Sequence, residues 1–206
     1  MNTPPEYGAA ARIEQFLVKY PDGRLTVAVG YASVKGLAWL ASHTANRPLT
    51  LLIGNCRKSH FAKWSHDDRA STIAFLNRPD VVVKNWYKKR PPPSEAHLKV
   101  WVAHTTTAPR VLLGSANLTG AGLFQNWEAV AEADVLDRPR IVNSVNELVE
   151  KGWDVKARLL GYLSEQPQQQ AAGRQPTPEV RRRGCLAAVI SAAAVVAVVV
   201  AGLNVW

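Results

Sequence analysis

The chain has 206 residues, with 25 lysines and arginines against 16 aspartates and glutamates, and a formal net charge of +9. Two cysteines, 13 glycines and 13 prolines exclude a disulfide scaffold and a collagen-like repeat, and 47% hydrophobic residues exclude a fully disordered chain. The charge is uneven, because residues 1–110 hold 16 basic and 7 acidic side chains, whereas residues 111–180 hold 6 and 9. The basic first half favours an anionic partner.

Apolar runs and helical periodicity predict an alternation of helices and strands along the first 163 residues. The predicted helices are 13–20, 34–43, 65–76 and 140–163, and the predicted strands are 24–31, 49–54, 80–87, 97–104, 110–114 and 127–134. Residues 88–96 contain three consecutive prolines and are predicted to form a loop. Alternation followed by a cluster of strands predicts an α/β fold, a mixed β-sheet flanked by helices.

The C-terminal 23 residues, 184–206, contain no charged side chain. As a helix they would be about 35 Å long, enough to cross a bilayer, so they predict one transmembrane helix. Three arginines at 181–183 precede it, and the positive-inside rule places them, and the domain, on the cytoplasmic side. Residues 164–183 are rich in Gln, Pro and Gly and predict a flexible linker, which leaves 1–163 as the domain. The first residues show no apolar signal region.

The segment from 97 to 130 carries the polar residues that indicate chemistry. Side chains alternate along a strand, so His97 and Lys99 are expected on one face. Ser115 and Asn117 follow the next predicted strand and supply short polar groups. These donors suit a phosphate, and Glu128 could orient a histidine ring.

This pattern resembles the phospholipase D superfamily, whose hallmark is H-x-K followed by G-S-x-N. The matching residues are His97, Lys99, Gly114, Ser115 and Asn117. The resemblance continues to Asn126 and Glu128 and is similar to the bacterial endonuclease-like members that carry one motif. One departure is His104, which stands where the family's motif has an aspartate.

The resemblance implies a phospholipase D-like fold and a phosphodiesterase that needs no metal or cofactor. It implies His97 as nucleophile or acid/base, with Lys99, Ser115 and Asn117 binding the substrate phosphate and Glu128 orienting His97. The family's chemistry uses two histidines, and this chain has one H-x-K motif. A homodimer with a shared active site is therefore expected.

Cations interleave with aromatic residues just before His97, a composition typical of nucleic-acid contacts and also of an ordinary solvated surface. The candidate contacts are Lys84, Lys88, Lys89 and Arg90, and a second basic cluster holds Arg57, Lys58 and Lys63. His60 and His66 are expected to be surface residues without a ligand. Three functions remain open: a membrane-tethered nuclease, a phospholipid hydrolase or phosphatidyltransferase, and a catalytically silent binding protein. The sequence favours the nuclease.

Overall fold

The computed structural model describes residues 8–165, except residues 46, 89–93, 96 and 127. All of the described residues belong to one compact unit. The predicted membrane helix, 184–206, and the linker beyond residue 165 lie outside the described residues. Within the described part, no helix has the length and apolar character needed to cross a membrane.

Helices and strands alternate in the first half of the domain. The α-helices are α1 Ala9–Lys19, α2 Val34–His43, α3 His66–Asn77, α4 Gly120–Phe124, α5 Arg138–Lys151 and α6 Lys156–Ser164. The strands are β1 Arg24–Tyr31, β2 Leu49–Asn55, β3 Val81–Asn85, β4 Tyr87–Lys88, β5 Ser94–Glu95, β6 Lys99–His104, β7 Arg110–Gly114, β8 Val130–Glu132 and β9 Trp153–Asp154. A 3-10 helix, Lys58–Phe61, follows β2.

Seven of the described strands form one mixed sheet in the order β8-β7-β6-β1-β2-β3-β9. Strands β1, β2 and β3 run parallel, whereas β6 runs antiparallel to β1, and β7 and β8 continue the antiparallel half. Val29 of β1 pairs with Lys99 at the start of β6, and Gly114 at the end of β7 pairs with Val130. One edge of the sheet, here called the carboxyl edge, therefore gathers the ends of β1, β2, β3 and β7 and the start of β6.

Helices cover both faces of the sheet, which explains why the central strands are apolar throughout. Val27 and its neighbours on one face join the larger core with buried residues of α1, α2, α3 and α6. Ala28 on the other face joins a smaller core with Ile141 and Val145 of α5. The predicted mixed sheet flanked by helices is confirmed.

The predicted single helix over 140–163 was wrong, because two helices occupy this range. Gly152 adopts an extended backbone conformation that ends α5, and β9 then pairs with Lys84 and Asn85 of β3. The apolar stripe continues across the break because both helices bury one side. A local pattern therefore cannot reveal the long-range pairing that interrupts the helix.

Other boundaries also differ from the prediction. The predicted loop 88–96 includes the last residue of β4 and the whole of β5, and these two short strands pair antiparallel. The predicted strand 80–87 is divided between β3 and β4. Strand β6 begins at Lys99, so His97 precedes it. Helix α4 was not predicted, because its glycine-rich sequence has low helix propensity; its Thr119 side chain caps it by accepting from the Gly122 amide.

Candidate active site

His97 and Lys99 meet at the carboxyl edge of the sheet. The Lys99 Nζ lies 3.0 Å from Nε2 and 3.2 Å from Nδ1 of the His97 ring. Partial burial lowers the pKa of the Lys99 ammonium, and the negative charge of Glu128 opposes that shift. The Lys99 ammonium can donate only to a ring nitrogen that carries no hydrogen.

Gly30, the next-to-last residue of β1, makes room for the His97 ring. A Cβ placed on Gly30 would lie 2.3 Å from Cδ2 of His97 and 3.2 Å from Oδ1 of Asn117. Only a glycine allows the imidazole to lie this close to the strand. The same two distances show that His97 and Asn117 converge on the end of β1.

Asn117 is fixed by the backbone of β1. Its Oδ1 accepts a hydrogen bond from the Tyr31 amide at 3.0 Å, and Leu118 next to it forms a parallel bridge with Ala32. Since the side-chain oxygen is used in this way, the Nδ2 donors of Asn117 are left for another acceptor. Gly122 lets α4 pack closely, since a Cβ there would lie 2.6 Å from the Asn117 carbonyl oxygen.

Ser115 and Glu128 form a second polar group at the same edge. The Ser115 hydroxyl donates to Oε2 of Glu128 and accepts from the Ala129 amide at 3.0 Å, and Asn126 Nδ2 donates to Oε1 at 3.3 Å. The single hydroxyl proton of Ser115 therefore points to a carboxylate in this arrangement. Donation of a hydrogen bond from the His97 ring to Glu128, and phosphate binding by Ser115, stay predictions.

His104 lies at the far end of β6. Its Nε2 is 2.9 Å from Oγ1 of Thr26, and it pairs with Arg24 across the sheet. Burial, and then the positive charges of Arg24 and Arg47, lower the pKa of His104. The position that holds the family's aspartate is thus separated from His97 by the length of a strand.

The structure describes two of the four predicted nucleic-acid contacts. Lys84 is half-buried in β3, next to Gly152 at the end of α5, and Lys88 belongs to β4. Lys89 and Arg90 lie outside the described residues. Contact of these four residues with nucleic acid stays a prediction.

The described residues offer no cluster of three His, Cys, Asp or Glu side chains that could hold a metal ion. Cys56 is buried, and burial raises the pKa of its thiol to about 11, so it is protonated at neutral pH. It is therefore no candidate nucleophile.

Gly30 and Tyr31 belong to the site but were not predicted from the sequence. The Tyr31 ring packs against the His97 ring, edge to face, with centroids 5.5 Å apart. The available signal was a glycine at the end of a buried strand, which often marks the close approach of another group. Because Gly30 and His97 are more than 60 residues apart in the sequence, that signal could not show that the approaching group is His97.

Comparison with known proteins supports the fold. No family model matches the chain, and no curated protein matches it in sequence. The structure is similar to that of NucT from Helicobacter pylori, with a TM-score of 0.52 and 14% identity, over 69% of this chain and 88% of that one. It is also similar to Nuc from Salmonella typhimurium, a phospholipase D family member, with a TM-score of 0.51 and 13% identity. This match covers 74% of this chain and 94% of that one. The domain therefore has the fold of a phospholipase D family member.

Proposed function

We propose that this chain is a phosphodiesterase that cleaves nucleic acid through a covalent phosphohistidine intermediate on His97. The observation that carries the proposal is the Lys99 ammonium 3.0 Å from Nε2 of His97, beside the anchored amide of Asn117. A nucleophile next to a cation and an amide donor is the arrangement that phosphoryl transfer requires. The likeness to Nuc and NucT supports this chemistry at the level of the family.

The proposed reaction has two steps, neither of which uses a metal. A nitrogen of His97 attacks phosphorus and the bond to the leaving oxygen breaks, while a second histidine donates a proton to that oxygen. Water then attacks the phosphohistidine, the second histidine takes the proton of the water, and His97 is released. Lys99 and Asn117 bind the non-bridging oxygens, where negative charge develops.

The second histidine comes, in this proposal, from His97 of another copy of the chain. Two copies related by a two-fold axis would bring two equivalent histidines to one phosphate. A purified heterodimer of wild type and His97→Ala is expected to be inactive, because its single shared site holds one His97. A heterodimer with half the activity of the wild-type dimer would show that each chain works alone.

Nucleic acid is the favoured substrate because basic residues follow the strands that end at the carboxyl edge. Arg57 and Lys58 follow Cys56 at the end of β2 and are exposed, and Lys58 also forms an ion pair with Glu165. Phosphate contacts from such side chains provide most of the affinity for a nucleic-acid strand. A phospholipid molecule offers one phosphodiester, whereas a nucleic-acid strand carries consecutive phosphates along one chain.

The test uses the full chain in EDTA with bis(p-nitrophenyl) phosphate, single- and double-stranded DNA, RNA and phospholipid vesicles in parallel. Cleavage of the small diester and of nucleic acid is expected, and His97→Ala should reduce both by at least ~10³-fold, as loss of a nucleophile does. His66→Ala is the matched control, because His66 is exposed at the start of α3. Cleavage of lipid alone, or activity that survives His97→Ala, would refute the proposal.

Membrane tethering through 184–206 is a separate part of the proposal. The full chain is expected to float with phospholipid vesicles in a density gradient. Two arginines at the centre of the apolar run, as in the double variant Val195→Arg/Val198→Arg, should abolish flotation, because each charge opposes insertion by about 2.5–3.5 kcal/mol. Flotation of the double variant would contradict a spanning helix.

A further inference from the structure

A second histidine of the same chain, His60, lies beside the proposed active site. The Tyr31 ring packs edge to face against both His97, with centroids 5.5 Å apart, and His60, with centroids 5.2 Å apart. The distance between the two imidazole centroids therefore cannot exceed the sum of these two distances. The two rings therefore share Tyr31 as a common neighbour.

The backbone after β2 fixes the orientation of His60. Its amide donates to the Arg57 carbonyl at 3.0 Å, which forms the 3-10 turn, and its Nδ1 lies 3.3 Å from the carbonyl oxygen of Asn55. Asn55 itself pairs with Tyr31 across β1 and β2. Because Nδ1 donates to a carbonyl, Nε2 is the nitrogen available to a ligand.

The surroundings of His60 suit an anion. Arg57 is exposed directly before the turn, whereas the neighbouring Lys58 forms an ion pair with Glu165. With Nδ1 bonded to the Asn55 carbonyl, an Nε2–H donor would be directed to a phosphate oxygen. Arg57, exposed three residues before His60, can supply a charged donor to the same phosphate.

We propose that His60 and Arg57 bind the phosphate adjacent to the scissile phosphate, with Tyr31 between the two phosphate sites. This inference rests on the proposed function and defines its substrate as a strand with at least two consecutive phosphates. A diester with one phosphate occupies only the site at His97 and Lys99. A strand with a flanking phosphate occupies both sites.

The experiment compares three thymidine substrates with the full chain: the dinucleoside monophosphate TpT, and TpT carrying an additional phosphate at its 5′ or at its 3′ end. One flanking phosphate, at one end, should raise kcat/KM about tenfold, the factor expected of a hydrogen bond to a charged group. His60→Gln should remove this advantage and leave cleavage of TpT within about twofold of wild type. His66→Gln, an exposed histidine on the following helix, is the matched control and should keep the advantage.

The dissociation constants of the same substrates are measured in parallel, so that the outcome does not depend on turnover. If wild type cleaves no diester but prefers the additional phosphate, and His60→Gln removes the preference, the subsite is supported and the nuclease proposal fails. If wild type shows no preference in either measurement, the subsite is refuted. Equal loss of activity on all three substrates in His60→Gln would also refute it, because it would place His60 in folding or in the chemical step.

Discussion

Strand β6 has a histidine near each end, and the two ends differ in what surrounds the ring. His97, just before the strand, contacts the Lys99 ammonium and packs against Gly30 at the carboxyl edge of the sheet. His104, the last residue, contacts the Thr26 hydroxyl and pairs with Arg24. With about 3.3 Å per residue, the six residues of β6 separate Lys99 from His104 by about 17 Å. His104, at the position where the phospholipase D motif has an aspartate, thus lies at the end of the strand that is remote from His97.

The strongest test of this contrast is to remove the positive charge of Lys99, next to His97 at the start of β6. Lys99→Met should lower kcat by about 10²–10³-fold, because a donor that stabilises transition-state charge is lost. The variant should remain folded, since Lys99 is a partly buried charge and methionine is apolar. Circular dichroism and the rate on bis(p-nitrophenyl) phosphate check both expectations.

The pH dependence of the rate, compared between wild type and Lys99→Arg, tests the role of the Lys99 charge independently. Burial holds the pKa of Lys99 below its ordinary value of 10.5, so the active ammonium is lost at a lower pH than for a free lysine. The alkaline limb of the rate profile should therefore fall below pH 10.5 in wild type and move upward in Lys99→Arg, because arginine stays charged. An unchanged limb would assign it to another group.

The next effect in size should come from Gly30→Ala, which adds one methyl group. The new Cβ would lie 2.3 Å from Cδ2 of His97, so the ring must move. A displacement of about 1 Å costs about 10²-fold in rate, while the fold survives because a side chain yields rather than the backbone. The matched control is Gly161→Ala in α6, where a Cβ would meet nothing within 4 Å. Equal activity in the two variants would remove Gly30 from the site.

The smallest effect on activity should come from His104→Gln, with a rate within about twofold of wild type because the residue is remote from His97. Its effect is on stability. The folded-state pKa of His104 is below its ordinary value of 6.5, so the unfolded chain binds a proton first as the pH falls. The free energy of unfolding of wild type should therefore decrease as the pH drops through 6.5, and His104→Gln should reduce that slope. A tenfold loss of activity would instead link this end of β6 to catalysis.

Much of the architecture could be predicted from local patterns. The prediction for α2 agrees with the structure at both ends, and β1 and β2 agree within a residue, because apolar runs and helical periodicity are local signals. Trp153–Asp154 could not be predicted, because its pairing with β3 joins residues about 70 positions apart. The motif placed His97, Lys99 and Asn117 together, and the structure does bring them together.

The parts of the site that escaped prediction depend on tertiary contacts. Tyr31 contributes its backbone amide to Asn117 and its ring to His97, and neither contact has a signature in the sequence RLTVAVGY. The Ser115 hydroxyl donates to Glu128, a contact that the motif does not specify, and its binding of a phosphate stays a prediction. A motif therefore identifies which residues meet, but the surrounding strands decide which atoms face one another.

The outermost strands of the sheet are short. Strand β8 has three residues and β9 has two, and the last residue of β8, Glu132, forms an ion pair with Lys19 of α1. Short, charged outer strands give an incoming strand few backbone groups to bond with, which is how native sheets resist edge-to-edge aggregation. Two copies of this domain are therefore poorly suited to join their sheets into one continuous ribbon. The two-fold contact of the proposed dimer would have to use helices and loops beside the carboxyl edge.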